Sequence, residues 1–388
     1  MTESKNSLII ASIILVLMTV SARSVNNMVT TTVPLLGKYV LYLPNSIVGL
    51  LSTAMFAFTF ISTSYVNPSL SASIRKKAFI ISNMVIALTL ILFAYSNVIS
   101  IWIISSISGF AFGLIMPNLV TSASLAKDRR SAERLLSLYS TSLSLSLIIG
   151  PAIETYLLTM FNYREIFLWF LPLALIGVVL SFNVKFPDVK REVSGVSALK
   201  NKGFIASVLS ITTYNVPFAA FTTFLAILAK ERFDLSDFQA YSVFLPFYIL
   251  SFLTRLSMTL RPFNDLSKPL LISILITVLG LLGILFAPSY AMFLVVIALL
   301  GIPHGSIFPM STIMISRATK VEERNAVNSY FLAYNNILFL VVPAVVGFAS
   351  TFIGLTLAIT LLVIPVAISA IMFFAKFLKD EIVTGRRE

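Results

Sequence analysis

Cysteine is absent from the 388 residues, histidine occurs once, and acidic residues number only 16. The absence of cysteine excludes disulfide bridges and thiolate metal sites. With one histidine and neither an HExxH nor a GxSxG pattern, the sequence also lacks the residues of a zinc hydrolase or a hydrolytic triad. A GxxxxGK[ST] loop is missing as well, which excludes direct use of ATP. We therefore expect no enzyme activity, no cofactor and no bound metal ion.

Charged residues are scarce too, at 11% of the chain, while hydrophobic residues make up 58%. A soluble globular protein could not cover its surface with so few polar groups, so the sequence predicts an integral membrane protein. Its apolar runs match helices of about 20 residues that cross a hydrocarbon core of about 30 Å. The net charge of +12 is explained by loop topology and by contact with anionic membrane lipid, without nucleic acid as a partner.

Hydropathy and the charged loops predict twelve spans, at 8–36, 45–70, 78–95, 98–124, 135–160, 165–184, 204–229, 237–260, 269–287, 290–316, 328–350 and 353–376. Lysine and arginine concentrate on alternate loops. The positive-inside rule then places both termini in the cytoplasm of a multi-pass protein of the cell membrane. The polar segment 185–203 is predicted to be a cytoplasmic linker between an N-terminal six-helix half, 1–184, and a C-terminal six-helix half, 204–388.

An internal repeat supports the division into halves. The segment GFAFGLIMPN at 109–118 returns as GIPHGSIFPM at 301–310, an offset of 192 positions. The same offset relates Pro151 to Pro343. One register kept across several helices predicts two halves that are built alike.

Several segments, in this order along the chain, resemble the major facilitator superfamily. The family's first outer loop and second helix resemble the segment PLLGKYVLYLPNSIVGLLSTA. The basic end of its loop between helices 2 and 3 matches residues 75–77. Its entry to helix 6 resembles NYREIF at 162–167. Ser105 stands where the family has the arginine of helix 4. The resemblance implies an all-α membrane protein with twelve helices in two pseudo-symmetric halves, which works as a secondary transporter by alternating access.

Predicted helix 5 carries Ser146, then Gly150 and Pro151, then Glu154. The spacing resembles the family's antiporter motif, which implies export by exchange. Glu154 lies about 10 Å outward of the span's centre at 1.5 Å per residue. Three interpretations stay open: a proton-coupling site, an ion pair with Arg23, or a side chain that reaches the outer water.

A polar face is predicted on helix 1, because Arg23, Asn26, Asn27 and Thr30 recur at i, i+3, i+4 and i+7. Because exposure of these polar side chains to lipid would be costly, this face is expected to point towards other helices or a water-filled cavity. We interpret Arg23, Asn26 and Asn27 as candidate substrate-binding residues. A buried packing network is the alternative.

The second half contributes candidate substrate-binding residues from three helices: Tyr214 and Asn215 in helix 7, His304 in helix 10, and Asn335 and Asn336 in helix 11. Histidine, with an ordinary pKa of about 6.5, also suits proton coupling. The alternative for each of them is a hydrogen bond inside the helix bundle.

Two substrate classes compete. Arg23 favours a small organic or inorganic anion, because a guanidinium binds planar oxyanions through two parallel hydrogen bonds. The aromatic content of 12% and the antiporter-like spacing favour efflux of drugs or amphiphiles instead. A non-transporting membrane receptor or scaffold is the remote alternative. We expect a monomer that moves a small-molecule substrate, coupled to protons through Glu154 or His304.

Overall fold

A computed structural model describes residues 5–123, 129–184, 186, 199–319 and 321–385. Every regular element within these ranges is helical. The predicted linker 185–203 falls largely outside the described residues.

Twelve long helices account for the predicted spans within the described ranges. They are α1 (Lys5–Leu35), α2 (Asn45–Ser69), α3 (Ala72–Ala94), α4 (Ser100–Ala123), α5 (Arg129–Leu157), α6 (Tyr163–Ser181), α7 (Lys202–Phe233), α8 (Asp237–Leu260), α9 (Ser267–Phe286), α10 (Tyr290–Ala318), α11 (Val321–Ile353) and α12 (Leu355–Phe377). A short helix, α13 (Glu381–Thr384), follows them.

Eleven helices in the described part of the chain are long and apolar enough to cross a membrane. Helix α5 completes the set: its 29 residues span about 43 Å, well over the roughly 30 Å of a bilayer core. Its serine-rich sequence SLYSTSLSLS lowers its hydropathy. The predicted all-α membrane fold is confirmed.

Side-chain caps fix where some of these helices begin. Asn162 accepts a hydrogen bond from the backbone of Glu165, and the Glu165 carboxylate accepts one from the backbone of Asn162 at 3.0 Å. This capping box starts α6. Asn201 starts α7 in a similar way, by accepting from the amide of Gly203 at 2.8 Å.

The contacts of the chain divide it into two units. The first comprises Met1–Pro44 and Leu51–Arg191, and the second comprises Asn45–Leu50 and Glu192–Glu388.

A glycine makes the same close helix contact in each unit. In the first, a Cβ on Gly109 of α4 would overlap the carbonyl oxygen of Met55 on α2; in the second, a Cβ on Gly301 of α10 would overlap the carbonyl oxygen of Phe247 on α8. Both pairs are related by the offset of 192 positions. Only glycine allows two helix backbones to approach so closely, so the sequence repeat corresponds to a repeated packing contact. The predicted pseudo-symmetry is confirmed.

Within the second unit, a short C-terminal strap, defined as residues 380–385, packs against the end of α10 and the loop before α9. The Arg317 guanidinium donates to the carbonyl oxygens of Ile382 at 3.0 Å, Val383 at 3.2 Å and Asn264 at 2.7 Å. Ile382 and Val383 are buried. One arginine at the end of α10 therefore ties the strap to the loop before α9.

We expect the Arg317→Gln variant to lower the melting temperature of the purified protein by about 1 to 3 °C. The guanidinium is open to water on one side, so its three bonds contribute about 1–2 kcal/mol together. A thermal unfolding scan in detergent measures this. Lys202→Gln is the control, since it removes an exposed ion pair to Asp380 and should cost under about 1 kcal/mol. Equal melting temperatures for Arg317→Gln and the unchanged protein would contradict the anchoring role.

Candidate functional site

The predicted polar face of α1 is present in the first unit. Arg23, Asn26 and Thr30 are half-buried on this face, and the Arg23 Nη1 donates to the Asn26 Oδ1 at 2.8 Å. Asn27 differs, because it is 4% exposed and its carbonyl accepts from the Thr31 hydroxyl at 2.8 Å. The structure therefore groups Arg23 with Asn26 and places Asn27 in the packed side of the helix.

Arg23 retains hydrogen-bonding capacity. Among the described residues, its Nε is buried and has no hydrogen-bond partner. Its charge acts on the phenol of Tyr139, a half-buried residue of α5. A buried donor without an acceptor costs about 1–3 kcal/mol, which an oxyanion at this position would recover. The face thus offers a positive charge and a spare donor, and the phenol of Tyr139 on α5 lies within the electrostatic influence of that charge.

Glu154 lies in the contact between α1 and α5. It is fully buried, and the Thr32 hydroxyl donates to its Oε1. One turn earlier, Gly150 lets the helices approach, since a Cβ there would lie 3.2 Å from the Ser24 Cα. Thr32 is nine residues beyond Arg23, or about 13 Å along the helix. Arg23 therefore bonds to Asn26 and Glu154 to Thr32, at different heights along the contact between α1 and α5.

In the second unit, four aromatic rings surround His304, which is 4% exposed. The centroid of its ring lies 4.3 Å from that of Phe218, 5.0 Å from Phe247, 5.3 Å from Tyr214 and 5.8 Å from Tyr248. We call these four residues the aromatic enclosure. Helices α7 and α8 supply them, and α10 supplies the histidine, so three helices fix the position of one imidazole.

A serine orients the imidazole within the enclosure. The Ser251 Oγ lies 2.6 Å from the His304 Nδ1. A cavity beside the rings measures about 10 Å³, which is at the lower limit for a single water molecule. The enclosure is therefore packed tightly enough to admit a proton or a water but nothing larger without movement of the rings.

The predicted asparagines of the second unit form a helix-to-helix contact. The Asn215 amide on α7 donates to the Asn335 Oδ1 on α11, and the Thr212 hydroxyl lies 2.6 Å from the Tyr334 hydroxyl. Asn215 and Asn335 are buried, whereas Asn336 is half-buried. These contacts fit both interpretations of the asparagines, a hydrogen bond inside the helix bundle and a substrate-binding surface.

Sequence reasoning missed Ser251 and most of the aromatic enclosure. The internal repeat could have pointed to Ser251, because the offset of 192 positions relates Ser251 to Thr59. The Thr59 hydroxyl donates to the carbonyl of Gly109 at 2.9 Å, so both members of the pair lie at the glycine contact of their unit. Across the described residues, no cluster of three or more His, Asp or Glu side chains could hold a metal ion.

Comparison with solved structures identifies transporters with the same fold. A bacterial homologue of the human lysosomal transporter Spinster is 12% identical, with a TM-score of 0.71 over 96% of this chain and 97% of that one. The nucleoside transporter NupG is 13% identical, with a TM-score of 0.70 over 95% and 100%. A POT family transporter in complex with 5-aminolevulinic acid is 12% identical, with a TM-score of 0.74 over 95% and 96%. At these identities the likeness shows the fold alone.

The sequence comparisons give the family. No curated protein matches the chain. The family model of the Major Facilitator Superfamily matches residues 15–264 and again residues 261–387, which together cover most of the chain. The chain therefore belongs to the Major Facilitator Superfamily and is a membrane transporter rather than an enzyme.

Proposed function

We propose that this transporter moves a small organic or inorganic anion across the cell membrane by alternating access, coupled to protons, and acts as a monomer. The observation that carries the anion assignment is Arg23, a half-buried guanidinium in a membrane-spanning helix whose Nε lacks a partner among the described residues. Its hydrogen bond is to the neutral amide of Asn26, and within the described ranges Arg23 takes part in no ion pair. Charged groups inside a membrane are costly and are kept where they serve substrate or ion movement.

The chemistry of arginine narrows the substrate class. A guanidinium presents its donors in a planar arrangement that matches a carboxylate or a phosphate. Asn26 and Tyr139 add neutral polar groups near the charge. An oxyanion of modest size fits this set better than a cation, which Arg23 would repel.

Two buried groups are candidates for the coupled proton. His304 sits in a tightly packed enclosure with a serine on its Nδ1, which supports a role with protons more than with substrate. Glu154 is fully buried next to Thr32, and an ionisable residue within a membrane span is by default a functional candidate. One of the two is expected to carry the proton.

We expect Arg23→Gln to reduce anion flux by about 10- to 100-fold, because a hydrogen bond to a charged group is worth about 1.5–3 kcal/mol. Purified protein in liposomes is tested with a panel of organic and inorganic anions and amphiphilic cations, with and without a pH gradient. Arg23→Lys should retain part of the flux, since it keeps the charge but loses the planar geometry.

Arg261 provides the control, because it lies directly after α8 and its side chain is exposed. Arg261→Gln should leave anion flux within about twofold of the unchanged protein. Equal anion flux in Arg23→Gln and the unchanged protein would refute the anion site.

Efflux of amphiphilic compounds is the second candidate, and the aromatic enclosure is the observation that favours it. Phe218 and Phe247 stack at 5.7 Å with an interplanar angle of 7°, and movement of such rings would expose an apolar surface. Flux of amphiphilic cations that exceeds anion flux in the same liposome panel would replace the first proposal with this one.

A further inference from the structure

We propose that a groove on the first unit binds one acyl chain of a membrane phospholipid. This acyl-chain groove lies between α2, α3 and α4 and has a volume of about 690 Å³. Its lining includes Phe58, Ala78, Ser82, Trp102, Ser106 and Ala111. Neither the proposed substrate site nor the proton candidates contribute to it, so the inference is independent of the proposed function.

The shape of the groove follows from the sizes of its residues. Its floor consists of small side chains, and Ser82 and Ala111 are buried there at 4% and 3% exposed. Its rim consists of branched side chains that project outwards, since Ile81 and Ile103 are 57% and 59% exposed. Small residues between large ones leave a channel along the helices instead of a flat surface.

The length of the groove matches one leaflet of a bilayer. Along α4 it runs from Trp102 to Leu114, a distance of about 18 Å at 1.5 Å per residue. Half of a hydrocarbon core of about 30 Å is about 15 Å, which is the depth that one acyl chain covers. An acyl chain that reaches the middle of the bilayer would therefore occupy most of the length of the groove.

The lining selects hydrocarbon over other ligands. Apart from two serine hydroxyls and the indole N–H of Trp102, the groove-lining side chains are apolar, and all of them belong to membrane-spanning helices. A peptide or a hydrophilic solute would leave its own polar groups unsatisfied there. An acyl chain gains dispersion contacts on several sides in a groove, whereas on a flat helix surface it gains them on one. That difference favours a retained chain over one that exchanges freely.

The two tryptophans of the chain allow a direct test. Trp102 lines the groove, and Trp169 on α6 is 50% exposed outside it. Trp169→Phe leaves Trp102 as the sole reporter, and Trp102→Phe leaves Trp169. Phosphatidylcholine brominated on its acyl chains is titrated into each detergent-solubilised variant. We expect saturable quenching of Trp102 at about one lipid per protein, at least twofold deeper than the quenching of Trp169.

A groove-filling variant tests the location. Ser106→Phe, added to Trp169→Phe, should abolish the saturable quenching of Trp102. The matched control is Val179→Phe, which adds the same ring at a 64% exposed position of α6 and should change nothing. Equal and non-saturating quenching of both tryptophans would overturn the proposal, as would saturable quenching that persists in Ser106→Phe.

Native mass spectrometry of the unchanged protein gives a second measurement that does not depend on the folding of a variant. After purification in a delipidating detergent, we expect one retained phospholipid per protein. A spectrum of the lipid-free protein alone would overturn the proposal.

Discussion

Of the two variants His304→Gln and Glu154→Gln, one is expected to lose accumulation driven by a pH gradient while its substrate exchange continues. With one proton moved per substrate, a gradient of one pH unit supports about tenfold accumulation, because 1.4 kcal/mol corresponds to a factor of ten. The variant that lacks the coupling group should fall to no accumulation. Glutamine keeps hydrogen-bonding capacity at each position but cannot bind or release a proton near neutral pH.

Liposomes with an imposed pH gradient measure accumulation, and liposomes loaded with labelled substrate measure exchange. Ser251→Ala is the matched control for His304, since it removes the contact at Nδ1 and keeps the imidazole. This control should retain accumulation, with a displaced pH profile. Loss of both accumulation and exchange would assign the residue to substrate binding. If both glutamine variants keep full pH-driven accumulation, the coupling assignment is wrong.

Gly301→Ala is expected to destabilise the protein strongly, although alanine is the better helix former by about 1 kcal/mol. The added methyl group would overlap the carbonyl oxygen of Phe247, which is backbone and cannot rotate away. Separation of α8 from α10 would then lose packing around His304 as well. We expect a net cost of about 2–3 kcal/mol and a melting temperature lower by roughly 2 to 4 °C for a chain of 388 residues.

Gly283→Ala is the control for this variant. Its added methyl would lie 3.2 Å from a methyl of Val296, a side chain that can move by a few tenths of an ångström. The helix propensity of alanine should then dominate, and the melting temperature should stay level or rise slightly. Gly109→Ala should behave like Gly301→Ala, because it meets the carbonyl of Met55 in the equivalent contact. Comparable melting temperatures for Gly301→Ala and Gly283→Ala would show that the backbone contact is unimportant.

Much of the fold follows from the sequence, because burial in lipid requires long apolar helices and the loops must carry the charges. The predicted spans 237–260 and 290–316 nearly coincide with α8 and α10. Irregularities inside helices were not predicted. The helix of residues 163–181 is interrupted at Phe170, and a π-helical turn, Ser62–Val66, lies within α2. Such local changes depend on neighbouring helices, which periodicity does not describe.

The site was predictable only where its residues share one helix. The spacing of Arg23 and Asn26 was enough to predict that they lie together. The complete burial of Glu154 was not predicted, because it depends on the side of α5 that faces Thr32. The surroundings of His304 come from α7 and α8, far away in sequence, and no local pattern in α10 reveals them.

The aromatic enclosure also gives this protein a built-in spectroscopic reporter. Ring currents in the four aromatic side chains around His304 change the chemical shifts of its imidazole, by amounts that depend on the distance and tilt of each ring. The chain has one histidine, so a sample labelled in that amino acid yields one imidazole signal without overlap. Any motion that draws α7 or α8 away from α10 displaces this signal. Magnetic resonance can therefore follow the enclosure through a transport cycle in the unmodified protein.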